Sequence, residues 1–520
     1  MGIYINPGNN GFAEIVNGDY IDKTGMIELI NKRIGTTDKL VCISRPRRFG
    51  KSYAAKMLCA YYDRTCDSHY LFDEKEIAET NGYEEHINQY NVIILDMAQM
   101  VEESDGNSPV EYIKEQLNNE IRRKFPEAEI DTSFPNTLVN VVESTGYKFI
   151  MIIDEWDTPI RECPAYQSEY LKFLRSLFKS STTTAKIFAA AYMTGILPIK
   201  KDGSESAVSD FNEYTILEPE EFAEYTGFTE TEVQHLCEEK QADFSLMKSW
   251  YDGYRVGDKE YVYNPYSVMK ALGGKYKSYW RKTSAAENLK TYINIDQYGI
   301  NEEIIKLTAG EKIKVDTSTF NNDLTSFTCK DDVLTLMIHL GYLTYDEETT
   351  EAWIPNEEVR LEYRTLVKKP GNSTLADLIM ASEKLLDDTL AGREEEVAKA
   401  IEHVRETNYA PQHYNNEQAL RYAIKFAYIV CVDRFLKIEE LPGGRGLADV
   451  VFIPKRDTAY PAIIIELKWD KDEEQALGQI DEKKYAAVLE GYTGEVVKVG
   501  ISYDSNRKIH SCRINKNVRK

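Results

Sequence analysis

Ser44-Arg45-Pro46-Arg47-Arg48-Phe49-Gly50-Lys51-Ser52 is the stretch on which the reading of this chain turns. It follows the apolar run Leu40-Val41-Cys42-Ile43, which has the composition of a buried strand. It precedes Tyr53-Ala54-Ala55-Lys56-Met57-Leu58, whose apolar residues recur at helical spacing. Strand, loop closing on Gly-Lys-Ser, then helix is the arrangement of a phosphate-binding loop. Gly50 lets the backbone approach phosphates closely, and the amides of the loop and helix N-terminus point at the anion. Lys51 supplies a point charge to the β- and γ-phosphates, and the Ser52 hydroxyl is placed to ligate Mg2+. Arg47, Arg48 and Phe49 are the other nucleotide-contacting candidates of the loop. One position departs from the usual pattern. G-x-x-x-x-G-K-[ST] places its first glycine at 45, where this chain has Arg45. By itself Gly-Lys-Ser also reads as an ordinary helix start.

A second stretch supports the first. Phe149-Ile150-Met151-Ile152-Ile153-Asp154-Glu155 is an apolar run ending in two carboxylates. It has the pattern of a central parallel strand whose C-terminal end borders the crevice of an open α/β sheet. Asp154 would hold Mg2+ through water, and Glu155 would polarise the attacking water. A buried strand meeting a polar turn is the plain alternative. Asn91 to Asp96 and Lys186 to Gly195 read as further buried strands. Residues 108–124 and the stretch from Asp157 onward are helical in pattern. Strands alternating with helices predict a mostly parallel sheet covered on both faces. Thr194 ends the last of these strands, where related ATPases place a polar residue that senses the γ-phosphate; a strand-terminal threonine is the simpler reading.

Composition bounds the rest. A chain of 520 residues is too long for one core. With 42% hydrophobic and 29% charged residues, and no apolar run of membrane-spanning length, the expectation is a globular cytoplasmic protein without a membrane partner. The eight cysteines form no C-x-x-C pair, so neither a zinc site nor a disulfide framework is expected. The net charge of −23 opposes a broad basic surface for nucleic acid. The segment from Tyr503 to Lys520 is locally basic and reads as a solvated end.

Residues 331–356 run from an apolar helix pattern into a hairpin around Asp346-Glu347-Glu348, as in a winged-helix module. Residues 373–408 are helical and highly charged. Leu420 to Val430 reads as a helix with Glu417 in its first turn. Then Leu447-Ala448-Asp449-Val450-Val451 and Ile463-Ile464-Ile465-Glu466-Leu467-Lys468 read as neighbouring strands, the first opened by Asp449. Glu466 and Lys468 stand two apart on a strand and so share a face. Two carboxylates, Asp449 and Glu466, would bind Mg2+, which acidifies a water for attack on phosphate. Lys468 would position that water or offset transition-state charge. Gln479, in the helix that follows, is a further orienting candidate. A cross-strand salt bridge on an exposed edge is the alternative.

The whole pattern resembles the bacterial AAA-ATPase-like proteins that carry a C-terminal PD-(D/E)XK nuclease domain. The resemblance rests on Tyr20-Ile21-Asp22-Lys23-Thr24, the run from Arg45 to Ser52, Ile153-Asp154-Glu155 and Thr194-Gly195. Trp250-Tyr251-Asp252-Gly253-Tyr254, Tyr263-Asn264-Pro265, Gly341-Tyr342-Leu343-Thr344 and Ile354-Pro355-Asn356 extend it. It explains Arg45, since that family uses arginine where other P-loops have glycine. It implies a P-loop ATPase domain over 1–270, a mainly helical winged-helix-like region over 271–372, and a PD-(D/E)XK, restriction-endonuclease-like α/β domain over 373–520. Arg445 stands further from Asp449 than the Gly-Arg-x-Asp of such domains. ATP and Mg2+ are the implied cofactors; DNA or RNA and a second copy of the chain are the implied partners. Two functions remain open. In one, ATP controls a metal-dependent nuclease, in a setting such as defence against foreign DNA. In the other, the C-terminal domain binds or assembles without cleaving, and the protein is an ATP-driven switch.

Overall fold

The computed structural model describes residues 2–517 except 200–207, 209, 281–299, 309, 321–326, 368–372, 409–419, 422, 425, 426, 429, 430, 432–434, 444, 445, 455–459, 472 and 483–493. The chain divides into two compact units. One is Met1–Tyr292 with Ile313–Glu362, and the other is Ile293–Lys312 with Tyr363–Lys520.

Five apolar runs of the first unit form one sheet: β1 (Leu40–Ser44), β2 (Asn91–Asp96), β3 (Phe149–Asp154), β4 (Phe188–Gly195) and β5 (Asn212–Tyr214). Their order is β2-β3-β4-β1-β5, and every neighbouring pair is parallel. Parallel strands need crossovers, and these put helices on both faces. Helices α1 (Asn10–Val16), α2 (Gly25–Asn31) and α3 (Lys51–Tyr62) cover one face, where Met26, Ile27, Met57 and Leu58 pack on Ile43, Ile150, Ile152 and Tyr192. Helices α4 (Pro109–Lys124), α5 (Phe134–Thr145) and α6 (Gln167–Phe178) cover the other, where Ile113, Leu117, Leu138 and Leu174 pack on Cys42, Met151, Ile153 and Met193. Burial on both faces is why these strands read as unbroken apolar runs. Lys186 and Ile187 end a helix rather than begin a strand, and β4 starts at Phe188.

After β5 the unit continues through α7 (Glu230–Lys240), α8 (Phe244–Tyr251), the hairpin β6 (Tyr254–Val256) and β7 (Lys259–Val262), and α9 (Pro265–Ala271). Val233, Leu236, Met247, Tyr251, Tyr263 and Val268 form their shared core. Helix α10 (Lys330–His339) leads into β9 (Thr344–Asp346) and β10 (Glu351–Trp353), which pair with β8 (Ile313–Lys314) in an antiparallel sheet.

In the second unit, helices α11 (Ser373–Ala391) and α12 (Glu394–Asn408) accompany a five-stranded mixed sheet. Its strands are β11 (Phe435–Gly443), β12 (Gly446–Pro454), β13 (Ala462–Trp469), β14 (Val496–Asp504) and β15 (Ile509–Asn517), in sequential order. Only β13 and β14 pair in parallel. Helix α13 (Glu473–Glu482) seats Leu477 and Ile480 on Ala462, Ile464 and Val496. Its close approach depends on Gly500, where a Cβ would lie 2.6 Å from the Glu473 carbonyl oxygen and 3.1 Å from Ala476 Cβ.

Two expectations change here. Asp449 does not open its strand. Gly446 to Ala448 are already held by pairing with Leu441 to Gly443 of β11, so Asp449 lies inside β12. The basic end is not a solvated tail, because Ile509 to Asn517 pair with β14 along its whole length. There His510 and Cys512 are buried. Glu417 and Arg445 lie outside the described residues, as do the side chains of Gln479 and Asp449. Among the described residues no helix is long and apolar enough to cross a membrane.

Gly500→Ala forces α13 off β14, because the obstructing atom is backbone. A cost of about 1–3 kcal/mol is expected for this overpacking. It will appear as a lower thermal midpoint with faster hydrogen exchange along Val496–Asp504; unchanged exchange there would contradict the docking.

Candidate functional site

The phosphate-binding loop joins β1 to α3. Gly50 takes φ +87° and caps the helix N-terminus, and Arg48 takes φ +70°. These left-handed residues turn the chain so that the loop closes over the start of α3. Lys51 is buried, and its ammonium donates to the carbonyls of Arg45 (3.0 Å) and Pro46 (2.8 Å). Burial brings its pKa down to about 8, against the pull of Asp154, Glu155 and Asp157. The ammonium is therefore held by loop carbonyls and by carboxylates at the end of β3.

Because β4 separates β1 from β3, the ends of all three strands face one crevice. Asp154 ends β3 on the α3 side, with its carboxyl hydrogen-bonded to Ser52. Burial lifts the Asp154 carboxyl to about 6; the Ser52 bond and Lys51 oppose the rise, while Asp96 and Glu155 add to it. Glu155 follows at φ +52°. Its carboxylate accepts from the Thr158 hydroxyl at 3.3 Å. Thr194 pairs with Ile43 at the end of β4, and its buried hydroxyl oxygen has no hydrogen-bond partner. An ammonium, a hydroxyl on a carboxylate, and an orphaned buried hydroxyl make a donor set that fits Mg2+ with a polyphosphate.

The rest of the loop is braced by the end of β5 and the chain that follows it. The guanidinium of Arg45 is fully buried and donates to Thr226 Oγ1 (2.8 Å), Tyr214 O (2.8 Å) and Ser44 O (3.0 Å). Its side chain turns into the protein, so the loop carries arginine at that position without crowding the phosphate side. Desolvation pulls its pKa down to about 9. Arg48 donates to Tyr279 O (3.0 Å) and lies 3.9 Å over the Tyr266 ring. Phe49 packs edge-on against Tyr254, and its carbonyl accepts from the Gly227 amide. Asn264 Nδ2 donates to Arg47 O at 3.3 Å. Behind this brace, buried Glu358 accepts from Ser267 Oγ and the Tyr279 amide, and burial raises its carboxyl to about 7. In the sequence Tyr266 and Tyr279 read only as aromatics of packed turns closing the domain, and Thr226 and Glu358 carry no local signal of this role.

In the second unit, Glu466 and Lys468 lie on central strand β13, on the face that carries Ala462 and Ile464 under α13. Both are buried, at 1% and 7% exposure, and Lys468 Nζ stands 3.4 Å from Glu466 Oε1. This is not a salt bridge on an exposed edge. Asp449 comes next after the Val450–Ile465 pair, as Glu466 does on β13, so the backbone register brings the two positions together. Among the described residues no group of three or more His, Cys, Asp or Glu side chains forms a metal cluster.

Comparison with known proteins agrees with this geometry. Residues 7–204 match the family model described as predicted AAA-ATPase, and residues 422–512 match that of the PD-(D/E)XK nuclease superfamily. The chain carries an AAA-ATPase-like domain and a PD-(D/E)XK nuclease superfamily domain. No curated protein matches the AAA-ATPase-like chain. Solved structures similar to it include the Aeropyrum pernix ORC2 protein in ADPNP–ADP complexes, at 12% identity over 67% of this chain and 95% of that one, with a TM-score of 0.31. AMPPCP-bound DnaA from Aquifex aeolicus is another, at 11% identity over 71% and 92%, with a TM-score of 0.25. These are loose likenesses, and the fold assignment rests on the sheets themselves.

Burial of Asp154 has a pH signature. Its folded pKa of about 6 exceeds the ordinary 3.8, so the folded AAA-ATPase-like unit binds that proton more tightly than the unfolded chain. The stabilisation is complete below 3.8 and lost as pH rises through about 6. The nucleotide-free protein is expected to lose roughly 3 kcal/mol relative to Asp154→Asn over that window. Parallel urea-stability curves for the two proteins would contradict this.

Proposed function

We propose that the first unit binds and hydrolyses ATP, and that ATP controls Mg2+-dependent cleavage of nucleic-acid phosphodiesters by the PD-(D/E)XK domain. The observation that carries the ATPase reading is the convergence of three groups at the ends of β1, β4 and β3. They are the buried Lys51 ammonium, the Ser52–Asp154 pair and the partnerless Thr194 hydroxyl.

In this reading Lys51 leaves its loop carbonyls for the β- and γ-phosphate oxygens, and the amides around Gly50 cradle the phosphates. Ser52 and Asp154 hold the Mg2+, which neutralises charge on the transferred phosphoryl group. Glu155 orients the attacking water, and Thr194 donates to the γ-phosphate. In the second unit Asp449 and Glu466 hold Mg2+, and Lys468 orients water or stabilises developing negative charge. The burial of Glu466 beside Lys468 supports a built site there, since a buried ion pair without a task costs desolvation.

The net charge of −23 favours the second reading to the extent that a nuclease needs a basic groove. In that reading the C-terminal domain binds or assembles under ATP control without cutting.

Lys51→Ala is expected to weaken ATP binding by about 100-fold, about 2.7 kcal/mol, with the fold retained. Calorimetric titration checks this, and native-like affinity would overturn the assignment. Glu155→Gln is expected to keep ATP affinity while turnover falls by about 100-fold or more; unchanged turnover would move the catalytic role elsewhere. Incubation of native protein and Glu466→Ala with Mg2+ and mixed DNA and RNA, with and without ATP, separates the two readings. Cleavage lost in the variant supports the nuclease. No cleavage under any condition leaves the switch.

A further inference from the structure

Glu155 is joined to the end of β4 by a chain of contacts that the ATPase reading does not use. At φ +52° its backbone is in a conformation that costs a non-glycine residue energy, and such a conformation persists only where the surroundings hold it. Trp156 N–H donates to Thr194 O at 2.9 Å. Gly195 lies so close beneath this turn that a Cβ there would stand 2.6 Å from the Trp156 ring and 2.8 Å from Asp157 Oδ1. Asp157 is buried, and its two carboxylate oxygens accept from the amides of Ile196 and Leu197, each at 3.3 Å. Asp157 Oδ2 also accepts from Arg161 Nε at 2.8 Å. Arg161 then reaches back. Its NH2 donates to Thr158 Oγ1 at 2.9 Å, and Thr158 Oγ1 donates to Glu155 Oε2. The same NH2 stands 4.0 Å from Glu155 Oε2, while NH1 faces Glu162. Ser44, at the root of the phosphate loop, donates to Leu197 O at 3.0 Å.

Arg161 and Asp157 are thus placed to do one thing for Glu155. They fix one carboxylate oxygen through Thr158 and the guanidinium, and leave the other for water. They also fasten that carboxylate to the backbone just after Thr194. We infer that Arg161, anchored by Asp157, is a positioning residue for ATP hydrolysis, which locks Glu155 and Thr194 into one rigid unit at the γ-phosphate. This rests on the ATPase reading above. The fork of the guanidinium is essential, because Nε holds Asp157 while NH2 holds Thr158 and Glu155; a lysine keeps the charge and loses that geometry.

The test uses the full chain, with steady-state ATP turnover at saturating Mg·ATP measured beside nucleotide affinity. Arg161→Ala is expected to lower kcat by about 10-fold or more, with affinity within about 2-fold of native. Arg161→Lys should fall between the two. Added to Glu155→Gln, Arg161→Ala should cost nothing further, because its effect passes through that carboxylate. A purely structural role would lower affinity and stability and would add its full factor to Glu155→Gln. Native kcat in Arg161→Ala, or full additivity in the double variant, overturns the inference. Should the alanine variant not fold, Arg161→Lys carries the same cycle, and additivity there overturns it equally. Native protein that binds ATP without hydrolysing it overturns the inference together with the hydrolysis reading. Failure to bind ATP at all overturns the inference together with the nucleotide-binding reading.

Discussion

An ammonium stripped of water is the constraint around which the first unit is arranged. Lys51 is buried at the N-terminus of α3, where a cation is disfavoured by the helix dipole as well as by desolvation. It stays because loop carbonyls point at it and the carboxylates after β3 stand near it. That proximity depends on strand order. With β4 inserted between β1 and β3, the loop, the Asp154 turn and Thr194 open onto one crevice. A polyphosphate with its metal satisfies all of these groups together, which is the physical content of the nucleotide-binding reading.

Much of the chain beyond β5 serves the shape of the loop. Arg45, Arg48 and Phe49 reach Thr226, Tyr214, Tyr266, Tyr279 and Tyr254, and the loop is fixed at several points other than its phosphate-facing amides. A buried arginine without a carboxylate partner is costly, and three oxygen acceptors offset part of that cost. The second unit buries charge differently, pairing Glu466 with Lys468 on a central strand.

The features legible in the sequence were those carried by adjacent residues. Gly50-Lys51-Ser52 after an apolar run, Asp154-Glu155 ending another, and Thr194 at the end of a third each declared a strand terminus, and parallel pairing then brought them together. Arg45 looked like a defect because its acceptors lie 169 and 181 residues away. Asp449 was placed at a strand start, but the β11–β12 ladder already holds the chain from Gly446, a pairing whose partners lie on another strand. The final strand was hidden because His510 and Cys512 fill two of its inward positions, among basic neighbours. Asp157 gave only a helix start, since its backbone partners lie at Ile196 and Leu197, and Arg161 takes its role from that anchor.

The most direct measurement is a structure of the full chain with Mg2+ and a non-hydrolysable ATP analogue. The account predicts that Lys51 Nζ will have left the carbonyls of Arg45 and Pro46 for the β- and γ-phosphate oxygens. Ser52 Oγ will be on the metal, and the Thr194 hydroxyl will have gained its partner at the γ-phosphate. A nucleotide bound elsewhere, or one bound here with Lys51 still on those carbonyls and Thr194 still without a partner, would contradict it.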